Sequence, residues 1–161
     1  MRTRRPDIPP SVLASLRDEA KRAAEYNYAR YSGVLVVAAV ETAGGAVFGG
    51  TNIEVANYAL GKHAEEVAII RALASLQLRE SRGRADRWLK TLYICGAAPC
   101  GSCRQFAWEW ATPRARCVID LPSEGRYRVL PLREMLPEPF GSDDIGDDRR
   151  PARPIGGQLP P

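Results

Sequence analysis

His63-Ala64-Glu65 in one place and Pro99-Cys100-Gly101-Ser102-Cys103 in another are the stretches on which the reading of this 161-residue chain turns. Each stands at the head of a helical pattern, so each predicts a helix N-terminus. The first offers an imidazole and a carboxylate, the second a pair of thiols. Cys100 and Cys103 are i and i+3, a spacing that a helix start places on one side. One His and two Cys form a three-ligand zinc set that leaves the fourth tetrahedral position open. An open position distinguishes a catalytic zinc from a structural one. Glu65, two residues past the only histidine of the chain, is then free to move protons rather than bind metal.

Two simpler readings compete. Cys100-Gly101-Ser102-Cys103 also suits a thioredoxin-like redox pair at a helix start, but that leaves His63-Ala64-Glu65 unexplained. Glu65 also suits a surface residue favoured by the helix dipole. Glu66 would serve that purpose equally well, so the choice of Glu65 rests on its pairing with His63. Cys95 and Cys117 lie inside strand patterns and are assigned to the core as small hydrophobes.

Outward from these motifs, Ser11 to Tyr28 predicts a helix with Ser11 as N-cap and with Val12, Leu16, Ala20 and Ala23 at helical spacing. Gly33 to Thr42 is an apolar, β-branched run that predicts a buried strand. Ala43-Gly44-Gly45 turns the chain into a second strand, Ala46 to Thr51, giving a hairpin. Asn52 to Lys62 is irregular. His63 to Leu78 predicts a helix with Val67, Ile70, Leu73 and Ala74 on one face, and the polar Arg79 to Arg87 stretch a surface connection. Thr91 to Cys95 predicts a strand and Gly101 to Trp110 the next helix. Arg116 to Leu121 and Tyr127 to Leu130 predict strands flanking a turn, and Leu132 to Leu136 a last helical turn. The order implies an α/β fold: three layers, α/β/α, around a mixed five-stranded sheet.

Three segments are expected: a flexible arm over 1–10, one domain over 11–145, and a disordered tail over 146–161, where Pro, Gly and paired charges displace apolar residues. Hydrophobic residues make up 45% of the chain, enough for a core. No apolar run reaches the ~18 residues of a membrane span. The basic, Pro-rich start has no apolar signal segment, so the cytoplasm is expected. The net charge of +4 is spread over the two ends and one loop, without a basic stripe interleaved with aromatics. A nucleic-acid partner is therefore not expected.

Asn52 and Glu54 stand two apart at a strand end, on one face if the chain stays extended. An amide and a carboxylate there suit the hydroxyls of a sugar, although spacing alone is better met by an Asx turn and a solvated charge.

H-x-E followed by P-C-x-x-C is the pattern of zinc-dependent nucleobase deaminases. The sequence resembles the cytidine deaminases that act on free nucleosides, from about Tyr26 to Ile145. The resemblance rests on Tyr31-Ser32, Thr51-Asn52-Ile53-Glu54 with Asn57-Tyr58, the two motifs with Arg104-Gln105-Phe106, and Leu136-Pro137-Glu138-Pro139-Phe140-Gly141-Ser142-Asp143-Asp144-Ile145. It implies one Zn²⁺ per subunit on His63, Cys100 and Cys103, with Glu65 as proton shuttle. It implies ribose binding by Asn52 and Glu54, the base carbonyl on the Ala64 amide, and the exocyclic amine on the Ala98 carbonyl. Phe140 would enclose the substrate from its own or a neighbouring subunit of a homotetramer or homodimer. Family members with three thiolates carry Arg directly after the catalytic Glu; here a neutral His63 ligand goes with Glu66, so the ligand shell is already balanced.

The departures are Val34 and Val37, where the family has Phe and Gly, and Lys62 before the ligand His. Val34 makes the wall near the base less aromatic. The expected reaction is therefore deamination of cytidine and deoxycytidine to uridine and deoxyuridine, as in pyrimidine salvage. Its alternatives are a modified aminopyrimidine nucleoside such as a blasticidin-type antibiotic, a nucleic-acid editing deaminase, and a non-catalytic zinc protein.

Overall fold

The computed structural model describes residues 7–75, 87–141 and 144. The order is α1 (Pro10–Ala24), β1 (Val37–Thr42), β2 (Val47–Thr51), a 3-10 turn at Tyr58–Leu60, α2 (Ala64–Ala74), β3 (Leu89–Cys95), α3 (Gly101–Trp110), β4 (Ala111–Leu121) and β5 (Arg126–Pro131). The strands form one sheet in the order β2-β1-β3-β4-β5. Only the β3–β4 pair is parallel; the other three pairs are antiparallel. The parallel pair is the one joined through a helix, α3, as a crossover requires.

The apolar strand runs are explained by helices on both faces of the sheet. Side chains alternate along a strand, and the two buried clusters divide accordingly. Ala38 and Val40 of β1, Leu92 and Ile94 of β3, and Cys117 and Ile119 of β4 pack with α2 and α3. The intervening Ala39, Tyr93 and Val118 pack against Leu13, Leu16 and Ala20 of α1. This is the expected three-layer α/β/α arrangement with a mixed five-stranded sheet.

Several local expectations are corrected. Pro9, not Ser11, is the N-cap of α1, with Pro10 in the first turn. There the missing N–H costs nothing, because the first helical amides have no intrahelical partner. The helix stops at Ala24, where its apolar repeat ends, rather than at Tyr28. β1 begins at Val37, not Gly33. β4 begins at Ala111, well before Arg116, with an irregularity in its register opposite Leu89 and Thr91.

The buried face of α2 also differs from expectation. Ala64, Glu65, Ala68, Ile69 and Ala72 are buried, while Ile70 is 45% exposed. Small residues face inward because the helix lies directly on β2. A methyl group added at Gly50 would fall 2.4 Å from both the Ala64 carbonyl oxygen and the Ala68 nitrogen. One added at Gly49, on the opposite face, would fall 2.5 Å from the Glu19 carbonyl oxygen of α1. Both helices thus reach the sheet over a glycine.

The expected helix extension to Leu78 and connection over Arg79 to Arg87 lie largely outside the described residues, as do 1–6 of the N-terminal arm and the tail over 146–161. Among the described residues, no helix is long and apolar enough to cross a membrane.

Candidate active site

Two helix N-termini meet at one place. His63 is the N-cap of α2 and Cys100 the N-cap of α3. The Nδ1 of His63 lies 3.4 Å from the Cys100 Sγ and 3.3 Å from the Cys103 Sγ. The three ligand atoms all fall within 4.8 Å of one another. A tetrahedral zinc with bonds of ~2.0 Å to nitrogen and ~2.3 Å to sulfur has N···S edges of roughly 3.5 Å, so the donor set fits that ion. The Cys103 amide also donates to the Cys100 Sγ at 3.5 Å. Burial, with the neighbouring charge of Glu65, pushes the Cys103 thiol far above its usual range. Thiolate formation at such a site is coupled to a bound cation.

The two adjacent glutamates separate cleanly. Glu66 turns back to the start of its own helix, where its Oε2 accepts from the His63 backbone N–H at 3.0 Å and its Oε1 lies 3.7 Å from Lys62 Nζ. It orients the ligand residue from outside. Glu65 turns inward and is 3% exposed. Burial raises its pKa above the ordinary carboxylate range, and its own backbone amide, Cys103 and His63 only partly oppose that rise. A carboxylate so placed holds a proton more readily than one in water.

A cavity of ≈ 330 Å³ opens beside these groups and is lined by His63, Glu65 and Cys100 together with Asn52, Glu54 and Val34. Ile94 and Val36 supply apolar wall, and Ala64 and Ala98 also line it. Ala64 is the first residue of α2, and its N–H has no intrahelical acceptor. The structure therefore brings together every sequence-predicted site residue except Phe140. Phe140 is 61% exposed and does not line the cavity; its carbonyl accepts from Gln105 Nε2 at 2.7 Å.

Asn52 and Glu54 do share the cavity, but their polar atoms are already engaged. Glu54 Oε2 accepts from the Tyr31 N–H at 2.7 Å and the Ser32 N–H at 3.0 Å, and Oε1 accepts from the Ser32 hydroxyl. The hydroxyl and amides of Ser32, with the Tyr31 amide, hold the carboxyl below its usual range. Sequence reading missed Asn27, Ser32 and Tyr58 as parts of the site. The signal for Ser32 and Tyr58 was in the Tyr31-Ser32 and Asn57-Tyr58 pairs, but Asn27 has none, because its contacts with Thr51 and Asn52 come from 24 and 25 residues away in sequence.

Residues 11–119 match the model for the zinc-binding region of cytidine and deoxycytidylate deaminases. The chain belongs to that family. A cytidine deaminase from Vibrio atlanticus is 34% identical over 126 residues, covering 77% of this chain and 38% of the relative. Cytidine deaminase 6 of Arabidopsis thaliana is 34% identical over 139 residues, covering 84% of this chain and 45% of the relative. This deaminase-family chain thus spans less than half the length of these curated relatives.

Among solved structures, the cytidine deaminase of Burkholderia pseudomallei is similar at 34% identity and TM-score 0.66, covering 79% of this chain and 98% of that one. That of Mycobacterium tuberculosis gives 28% identity and TM-score 0.61, covering 84% and 99%. The family's zinc-binding region contains the His63, Cys100 and Cys103 cluster, so zinc is the metal these residues serve.

Proposed function

We propose that this chain hydrolyses cytidine and deoxycytidine to uridine and deoxyuridine, with water consumed and ammonia released. The observation that carries the reading is the inward turn of Glu65 beside the His63, Cys100 and Cys103 cluster, in the lining of a cavity that also holds Asn52 and Glu54. Zinc, when bound, supplies a Lewis acid that makes a water acidic near neutrality. Glu65 accepts one proton of the water and delivers it to the ring nitrogen N3 as the oxygen bonds to C4, then carries the second, hydroxyl proton to the exocyclic amine, so that the C4–N bond breaks and ammonia leaves. Its burial suits it to both halves of this shuttle. The Ala64 amide, at the positive end of α2, receives the base carbonyl, and the Ala98 carbonyl receives the exocyclic amine. Asn52 and Glu54 receive the sugar, while Ile94 and Val36 exclude water from the base.

The relatives named above are cytidine deaminases, which favours the plain nucleoside over an antibiotic of the blasticidin type. Val34, 56% exposed at the cavity wall, supplies the less aromatic surface read from the sequence. The four cysteines are outside disulfides, in keeping with action in the reducing cytoplasm. A homodimer or homotetramer is supported by exposed Tyr58 (77%) and Leu60 (64%), and light scattering tests it.

The decisive experiment follows absorbance during deamination by zinc-loaded protein, with cytidine, deoxycytidine and cytidine monophosphate in parallel. Turnover of both nucleosides and not the nucleotide is the expected result. Silence toward both nucleosides from folded, zinc-replete protein overturns the reading.

A further inference from the structure

We propose that Asn27 is a positioning residue for sugar recognition, fixing which end of the Asn52 carboxamide faces the substrate. The inference rests on the nucleoside reading above. Asn27 lies just past α1, remote from the metal cluster in sequence. Its Nδ2 donates to Thr51 Oγ1 at 2.8 Å, to Asn52 Oδ1 at 2.9 Å and, more weakly, to the Asn52 carbonyl at 3.3 Å. Its own Oδ1 accepts from the Ala29 N–H at 3.2 Å.

Only one orientation of the two amides satisfies this network. The Thr51 hydroxyl donates to the Val36 carbonyl at 3.1 Å, so toward Asn27 it is an acceptor. Asn27 must therefore present its nitrogen to Thr51 and Asn52. The Val36 N–H also donates to Asn52 Oδ1, at 3.0 Å, so that oxygen has two donors and both lone pairs are used. Asn52 Nδ2 then donates one hydrogen to the Val34 carbonyl at 2.9 Å and keeps one for a ligand. A flip of Asn52 would set its nitrogen against the nitrogen of Asn27 and the amide of Val36.

Glu54 is limited in the same way. Oε2 has two donors and Oε1 has one, which leaves a single lone pair on Oε1. One free donor and one free acceptor match one hydroxyl group, which both accepts and donates. The pair thus recognises a single sugar hydroxyl, and Asn27 acts with the Val36 N–H and the Val34 carbonyl to hold the donor half of that contact.

The test compares deoxycytidine with 2′,3′-dideoxycytidine, which lacks every ring hydroxyl. Wild type should prefer deoxycytidine by at least about tenfold in kcat/KM, the scale of one or two hydrogen bonds. Asn27→Asp places acceptors where Thr51 and Asn52 need a donor, and should shrink that preference to within about threefold, mainly through KM for deoxycytidine. Asn52→Ala should do the same, and the double variant should be no worse than either single one. Should Asn27→Asp not fold, Asn27→Ala takes its place with the same expected narrowing. Equal losses on both substrates, or an unchanged preference, would mean that Asn27 is merely structural and would overturn the proposal alone. A wild type inert to all nucleosides would overturn the catalytic reading and this assignment with it.

Discussion

Substituting Gly50 with alanine tests whether catalysis depends on how closely α2 lies on the sheet. The added methyl would sit 2.4 Å from the Ala64 carbonyl oxygen and the Ala68 nitrogen, whereas ordinary contact starts at 3.4 Å. These neighbours are helix backbone and cannot rotate away, so α2 must retreat by about 1 Å at the turn that carries Glu65. Overpacking of this kind costs about 1–3 kcal/mol, a fall of about 3–10 °C in unfolding temperature for a domain of this size. A misplacement of about 1 Å at catalytic groups costs about 100-fold in turnover. Thermal unfolding and kcat with deoxycytidine measure the two effects. Gly44→Ala is the control, because its methyl would meet only Thr42 Oγ1, at 3.8 Å. If Gly50→Ala matched wild type in both measurements within twofold and 1 °C, the close seating of α2 would not be what aligns the site.

Glu65→Gln should retain zinc and fold while losing about 100- to 10,000-fold in turnover, the range for removal of a proton-transfer group; metal analysis beside kinetics checks both halves. Acid stability should report the Arg17–Asp120–Tyr93 cluster. Burial disfavours the Asp120 carboxylate, but Arg17, which grips both its oxygens at 2.8 and 3.2 Å, and Tyr93 at 2.7 Å together bring its pKa below the usual value. Its stabilisation is therefore complete above about pH 4 and is lost as pH falls through the lowered folded value. Arg17→Ala should reduce the difference in unfolding temperature between pH 7 and pH 3, and an unchanged difference would contradict the coupling. Burial pushes the Cys117 thiol up to about 12, so alkylation at pH 8 followed by peptide mapping should label Cys117 only after unfolding.

Both site motifs were legible because helix starts are local events. His63 and Cys100 are N-caps, and the residues next to each cap carry the rest of the chemistry within one turn. The two-sided burial of Ala38-Ala39-Val40 was legible for a similar reason, since an unbroken apolar strand needs cover on both faces. What escaped the sequence is set by distant partners. Asn52 bonds to the Val34 carbonyl and the Val36 amide, which holds residues 34–36 in a loop although their composition matches the strand that follows. The buried face of α2 was misjudged because three of its four larger apolar residues, Val67, Ile70 and Leu73, share a helical spacing, while the fourth, Ile69, goes inward with the alanines. The glycines of a different element determine that the small Ala64, Ala68 and Ala72 go inward. Phe140 shares the family's closing motif, yet its position relative to the cavity depends on the Gln105 contact and on chain packing that no local spacing encodes.

The ligands of the metal cluster come from opposite ends of a long segment: His63 and Cys103 are 40 residues apart. A cation shared by them is thus also a cross-link, closing a loop whose entropy in the unfolded chain is worth about 4 kcal/mol by the scaling used for disulfides. This clasp ties α2 to α3 across the middle of the sheet, where their mutual packing is slight. Metal loss and loosening of the two helices become one equilibrium. Chelation should therefore act on the lifetime of the folded chain as well as on its chemistry.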